Sequence, residues 1–334
     1  MKQSESKSVE LAIPAPKSEN PVIQITEGSD RSFVPDVDPL YIPFGNYSDL
    51  KQIIKSNVFY PVFITGLSGN GKTLSVEQCC AAVKRELFRV NITVESDEDD
   101  LFGGFRLIGG ETVWFDGPVI QAMKRGAILL LDEIDLASSK CLCLQPVLEG
   151  RGVLLKKINQ HIKPKAGFNV IATANTKGKG SEDGRYVGTN VLNEAFLERF
   201  SITLEQEYPT VAVEKKILTA LFNSHNLTSL EDFSDILTQW SDLIRKTYIS
   251  GGIDELISTR RLVHIGNAYA IFGDREKAIQ LCINRFDVHT KTALLDVYNK
   301  LLPVSVEPEQ PVQPSDSLTL SPAEAAEIGP IASW

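Results

Sequence analysis

The residues Gly66-Leu67-Ser68-Gly69-Asn70-Gly71-Lys72-Thr73 fit the spacing G-x-x-x-x-G-K-[ST]. In that pattern the glycines let successive backbone N–H groups converge on a polyphosphate. Lys72 adds a full positive charge, and a helix starting near Thr73 points its positive end at the same place. The Thr73 hydroxyl stands where P-loop proteins ligate Mg2+, and Leu74 closes the stretch expected to contact nucleotide. Together these residues predict a site for ATP with Mg2+.

Ile128-Leu129-Leu130-Leu131-Asp132-Glu133 is an apolar strand ending in two carboxylates. Asp132 is expected in the Mg2+ shell, and Glu133 is expected to polarise an attacking water. A kinase acting on a small substrate can lack that glutamate, so the pair favours hydrolysis. Ile171-Ala172-Thr173-Ala174-Asn175 ends a second apolar run in an amide. Asn175 either orients the lytic water or only forms the turn into Thr176 to Gly180. Arg199, near the end of the short helix expected over Leu192 to Phe200, either pairs with Glu194 or Glu198 or reaches the γ-phosphate held by a neighbouring subunit. Arg260 and Arg261 open a later helix, where they touch the same nucleotide or simply lie on a helix surface.

These groups need elements that bring them to one edge. Pro61 to Thr65 reads as a buried strand running into the phosphate loop, followed by a helix over Leu74 to Leu87. Phe88, Val90, Ile92 and Val94 alternate as a second strand. Ile128 to Leu131, Asn169 to Ala174, and Ile202 with Leu204 supply three more. Strands separated by helices predict a parallel five-stranded sheet with helices on both faces, whose ligands gather at the C-terminal strand edge. From Val211 to Leu302 the pattern is helical only. The expected organisation is a flexible segment over 1–35, an α/β nucleotide-binding domain over 36–208, a helical lid domain over 209–302 and a disordered tail over 303–334. Tyr208-Pro209-Thr210 is the expected hinge, and Ala323 to Glu327 is a candidate helical turn in the tail.

A net charge of −9 over 334 residues disfavours an extended basic face for duplex nucleic acid, although Lys156, Lys157, Lys163 and Lys165 cluster locally. No apolar run approaches a membrane span, and the polar stretch Met1 to Glu10 does not read as a signal peptide. A cytoplasmic protein is expected. The five cysteines fit that compartment. Cys79 and Cys80 fall in the helix after the phosphate loop, Cys141 and Cys143 in another expected helix, and all four read as packed thiols. His161, His225, His264 and His289 are scattered and read as structural or surface residues.

Taken in order, the phosphate loop, Asp132-Glu133, Asn175, Arg199 and Arg260 resemble the AAA+ ATPases. Leu101-Phe102-Gly103-Gly104-Phe105-Arg106-Leu107, followed by Trp114-Phe115-Asp116-Gly117-Pro118, is similar to the MoxR and CobS branch, which carries a hairpin insertion here. Gly109-Gly110 between β-prone runs agrees with such a turn. A second hairpin, over Gly152 to Leu155 and Ile158 to Ile162, precedes the Asn175 strand as in that branch. Pro35 to Tyr41, Ala172 to Thr176 and Gly184 to Thr189 resemble the CobS-type small ATPase subunits of aerobic cobaltochelatases.

The resemblance spans roughly residues 33 to 300. It implies a P-loop AAA+ domain with a helical lid, ATP in the cleft between them, and Arg199 inserted into a neighbour's site. A homo-oligomeric ring follows, a hexamer by analogy, with Arg260 moving the lid and the hairpins pushing on a partner. The chain has no Asp-x-Ser-x-Ser motif, so the resemblance implies a separate adhesion-domain (CobT-type) protein, with cobalt and tetrapyrrole on a large chelatase subunit. Three functions stay open: a motor for cobalt insertion in cobalamin biosynthesis, a MoxR-like chaperone, and a nucleic-acid motor accompanying a nuclease. No aromatic stacking residues accompany the clustered lysines, which counts against the last.

Overall fold

Ile128 to Leu131 has no polar side to offer water, and in the computed structural model every residue of that strand is buried. The structure describes residues 32–180, 186 and 188–302. The strands are β1 (Val62–Thr65), β2 (Leu87–Asn91), β3 (Gly103–Ile108), β4 (Glu111–Asp116), β5 (Ile128–Asp132), β6 (Val153–Leu155), β7 (Gln160–Ile162), β8 (Asn169–Ala174) and β9 (Ile202–Glu205). Five of them form one sheet in the order β2-β5-β8-β1-β9. All of its pairings are parallel. The three inner strands β1, β5 and β8 are buried along their whole length, as expected for a sheet covered on both faces.

The α-helices before Thr210 are α1 (Tyr47–Ser56), α2 (Lys72–Val83), α3 (Glu98–Phe102), α4 (Pro118–Arg125), α5 (Gln145–Leu148) and α6 (Glu194–Leu197). Side chains of α1 and α2 share one core with Val62, Ile64, Ile128, Leu130 and Ile171. Those of α3, α4 and α5 share another with Phe63, Leu129, Leu131, Val170 and Ala172. The alternation of these residues along their strands is the two-faced burial of the sheet. β3 and β4 pair antiparallel around Gly109-Gly110, both at positive φ, as a two-residue turn requires. β6 and β7 form the second hairpin.

Several boundaries differ from the sequence expectation. The helix after the phosphate loop stops at Val83, because Lys84 adopts a left-handed φ of 56° and frees Leu87 to open β2. β2 ends at Asn91 opposite Asp132, where its partner strand ends; Ile92 still donates to the Asp132 carbonyl at 2.8 Å, but Val94 is exposed. Cys141 and Cys143 lie in tight 3-10 turns over Ser139–Leu144 rather than an α-helix. Phe33, placed above in the flexible segment, packs on the sheet edge: its carbonyl accepts from Leu87 N–H at 2.9 Å, and its ring lies 4.5 Å from that of Phe88. The candidate turn Ala323 to Glu327, and Gly184, Arg185 and Val187 of the stretch Gly184 to Thr189, lie outside the described residues.

Beyond Thr210 come α7 (Val211–Ser224), α8 (Glu231–Ile249), α9 (Thr259–Phe272), α10 (Arg275–Ile283) and α11 (Val288–Leu301). Trp240, Phe233, Phe222 and Ile279 anchor their common core. A charged pair is sealed inside it. Glu214 on α7 accepts from Arg245 on α8 at 2.8 Å and from the Thr259 hydroxyl on α9. Arg245 Nε also donates to the Ile257 carbonyl at 2.7 Å. The Arg245 guanidinium stacks 4.1 Å from the Tyr208 ring, and the Tyr208 hydroxyl donates to the Ser68 carbonyl of the phosphate loop at 2.7 Å. The expected hinge is thus tied both to the phosphate loop and to the C-terminal helices. Glu214→Ala should destabilise the C-terminal helical region by about 3–5 kcal/mol, because Arg245 would stay buried without its counter-charge. Urea unfolding followed by Trp240 fluorescence measures this, and a loss below about 1 kcal/mol would contradict it. Among the described residues no helix is long and apolar enough to cross a membrane.

Candidate active site

The phosphate loop leaves the C-terminal end of β1, Asp132 ends β5, and Asn175 follows β8. β8 lies between β5 and β1, so parallel pairing brings the three endings to one edge of the sheet. They surround a cleft of about 330 Å³, lined by Ser68 to Leu74, Asp132, Glu133, Asn175, Arg89 and Arg260. Gly66 and Leu67 contribute from behind: their carbonyls accept from Lys72 Nζ at 2.7 and 3.0 Å. Lys72 Nζ also reaches Asn175 Oδ1 at 3.2 Å, across 103 residues of sequence. Burial lowers the Lys72 ammonium to about 8, against the opposing pull of Asp135 and Asp132.

Thr73 Oγ1 donates to Asp132 Oδ1 at 2.9 Å, and the Thr173 hydroxyl donates to the same oxygen. Glu133 is exposed to the cleft at a left-handed φ of 58°, with its backbone N–H on Thr173 Oγ1 at 3.3 Å. Asn175 is fixed through its backbone. Its N–H and that of Thr176 donate to Asp135 Oδ2 at 2.8 and 3.0 Å. Asp135 is fully buried, and sequence reasoning gave it no such role. An acidic residue in an otherwise apolar turn after β5 was the available signal.

Arg260 and Arg261 separate. Arg260 lines the cleft, and its N–H donates to the Gly69 carbonyl at 3.2 Å. Arg261 does not line it; its guanidinium lies 6.0 Å from the Phe286 ring, on the side where Glu255 and Arg285 stand. Arg261 instead lines the adjoining pocket, which it shares with Ser68, Gly69 and Arg260. Arg199 does form an ion pair, but with neither Glu194 nor Glu198. Its Nε meets Glu149 Oε1 at 2.9 Å just past α5, while its Nη1 folds back on α6 to donate to the Ala195 carbonyl. Arg199 is absent from the lining of its own cleft.

The residues present suit a magnesium nucleotide. Gly69, at φ 73°, lies so close to the start of α9 that an added Cβ would meet the Ser258 side chain at 2.7 Å, so only glycine leaves the loop backbone free there. Among the described residues no cluster of three His, Cys, Asp or Glu is placed to hold a metal. Asp132 and Thr73 present the one carboxylate and one hydroxyl that, together with phosphate oxygens, suit Mg2+.

A family model for the AAA domain, dynein-related subfamily, matches residues 61–200. The chain is 31% identical over 246 residues to an uncharacterized protein of Staphylococcus epidermidis, covering 71% of this chain and 87% of that one. It is 26% identical over 283 residues to a Sinorhizobium protein named aerobic cobaltochelatase subunit CobS, covering 83% of this chain and 85% of that one. To protein NorQ of Paracoccus denitrificans it is 30% identical over 182 residues, covering 54% and 64% of the respective chains.

Proposed function

This chain belongs to the AAA+ ATPases of the MoxR/CobS type, with an AAA domain of the dynein-related subfamily, and from that premise we propose that it hydrolyses ATP to drive work on a partner protein. The observation that carries the reading is the convergence on one cleft of two hydrogen-bonded pairs, Lys72 with Asn175 and Thr73 with Asp132, together with Arg260. In it the phosphate loop and Lys72 bind the polyphosphate. Thr73 and Asp132 hold Mg2+, which supplies charge neutralisation on the phosphates. Glu133 takes the proton of the attacking water, and Asn175, held by Asp135, orients that water beside the γ-phosphate. Arg260 links nucleotide state to lid position, since its backbone already rests on Gly69.

The finer reading is a subunit of a cobalt chelatase acting in cobalamin biosynthesis. Similarity to the Sinorhizobium subunit over most of both chains supports it. We infer a homo-oligomeric ring, a hexamer by that analogy, working with an adhesion-domain protein and a large chelatase subunit in the cytoplasm. The β3–β4 hairpin suits contact with a protein, because Phe105, Leu107, Ile108 and Val113 are exposed near its tip. The lysine cluster gives little support to nucleic acid, since Lys157 is paired with Asp99. The test is Mg2+-dependent ATP turnover by the purified chain, followed by capture of partners in ATP. A large chelatase subunit among them is expected. Turnover with only another adhesion-domain protein captured would leave a chaperone, and no heat of association with Mg-ATP would overturn the whole reading.

A further inference from the structure

Arg89 stands in β2, one strand away from Asp132 in the sheet, and sequence reasoning assigned it nothing. Its Nε and Nη2 both donate to Asp132 Oδ2, at 3.0 and 2.6 Å. Its Nη1 meets Glu77 Oε1 on α2 at 3.0 Å. The two threonine hydroxyls occupy the other Asp132 oxygen, so both oxygens of this carboxylate have partners. Asp132 is 4% exposed, and a buried carboxylate needs a counter-charge. Arg89 supplies it while keeping 44% of its own side chain exposed at the cleft.

A second cation drawn to the same carboxylate meets Arg89 there, and like charges a few ångströms apart repel. Resting on the nucleotide-site reading above, we propose that Arg89 is a resident counter-ion of Asp132 that competes with the divalent metal and thereby sets the Mg2+ concentration at which the chain takes up nucleotide. Glu77 is the alternative seat. Because it already holds one arm of the guanidinium, Arg89 can move toward it without losing all of its charge pairing. The same positive charge favours metal-free nucleotide, whose phosphates are unneutralised. Metal and bare nucleotide therefore respond to Arg89 with opposite sign.

The experiment titrates Mg2+ into the full chain with a fluorescent, non-hydrolysable ATP analogue, and separately measures the analogue's affinity in EDTA. In Arg89→Met the half-saturating Mg2+ concentration should fall about five- to tenfold. Its affinity in EDTA should weaken severalfold, whereas Arg89→Lys should stay near the parent in both. Glu77→Gln leaves Arg89 wholly on Asp132 and should raise the Mg2+ midpoint about two- to threefold; it keeps the test decisive if the methionine variant does not fold. Midpoints unchanged, or moved the other way, overturn the role of Arg89 alone, as would a loss of both affinities in equal measure from a folded variant. If the parent itself shows no Mg2+-dependent binding, the reading of the site falls first.

Discussion

Glu133→Gln is expected to slow ATP turnover about a thousandfold while leaving Mg-ATP affinity within about twofold of the parent. The amide matches the carboxylate in shape but cannot accept the proton of the attacking water. The position is specialised: a glutamate at φ 58° occupies backbone space that side chains seldom adopt, and it directly follows the tightly held Asp132. That geometry sends the Glu133 side chain into the cleft instead of continuing the strand alternation into the core. In the proposed site nucleotide binding rests on other residues, namely the loop backbone, Lys72 and Arg260, so affinity and chemistry should separate. Single-turnover hydrolysis and calorimetry measure the two. Turnover within tenfold of the parent would show that Glu133 is not the proton acceptor, and a parallel collapse of binding would make its role structural.

That separation of roles was partly visible in the chain and partly not. Phosphate loop, β5 and β8 are contiguous signals: an apolar run ending in a polar residue reports both strand and edge within a few positions, and burial of β5 and β8 from end to end follows directly. Arg89, Asp135 and Glu149 are not contiguous with what they serve. Arg89 reaches Asp132 across 43 residues, only because β2 is the neighbour of β5, and strand order is not written in periodicity. A charged residue between Phe88 and Val90 in a strand otherwise rich in apolar residues was the sole hint. Glu149 escaped for the related reason that partners for Arg199 were sought only among its sequence neighbours Glu194 and Glu198, whereas the structure supplies one 50 residues away. The ends of β2 and α2 moved because a partner strand's length and one left-handed lysine decided them, not the apolar alternation.

Arg199→Ala is expected to reduce turnover by about a thousandfold or more, as for loss of an arginine finger, and mixing it with Glu133→Gln should restore part of the activity. The Arg199 side chain is 25% exposed, fixed between Glu149 and the Ala195 carbonyl, and does not line the cleft of its own chain. A charge so placed can serve a nucleotide only in a second copy. In a mixed ring, a seam works when the cleft comes from the Arg199→Ala chain and the finger from the Glu133→Gln chain, which random equal mixing gives at roughly a quarter of the seams. Recovery toward that fraction, from two variants each nearly inert, would have no explanation within one chain. The competing account is that Arg199 merely braces Glu149. Glu149→Gln tests it by removing the ion pair and keeping the arginine: as a half-exposed pair worth about 0–1 kcal/mol, its loss should leave turnover within about threefold. If Glu149→Gln is as inert as Arg199→Ala, and no mixing ratio recovers activity in assemblies of parental size, the finger role is excluded and Arg199 belongs to the scaffold.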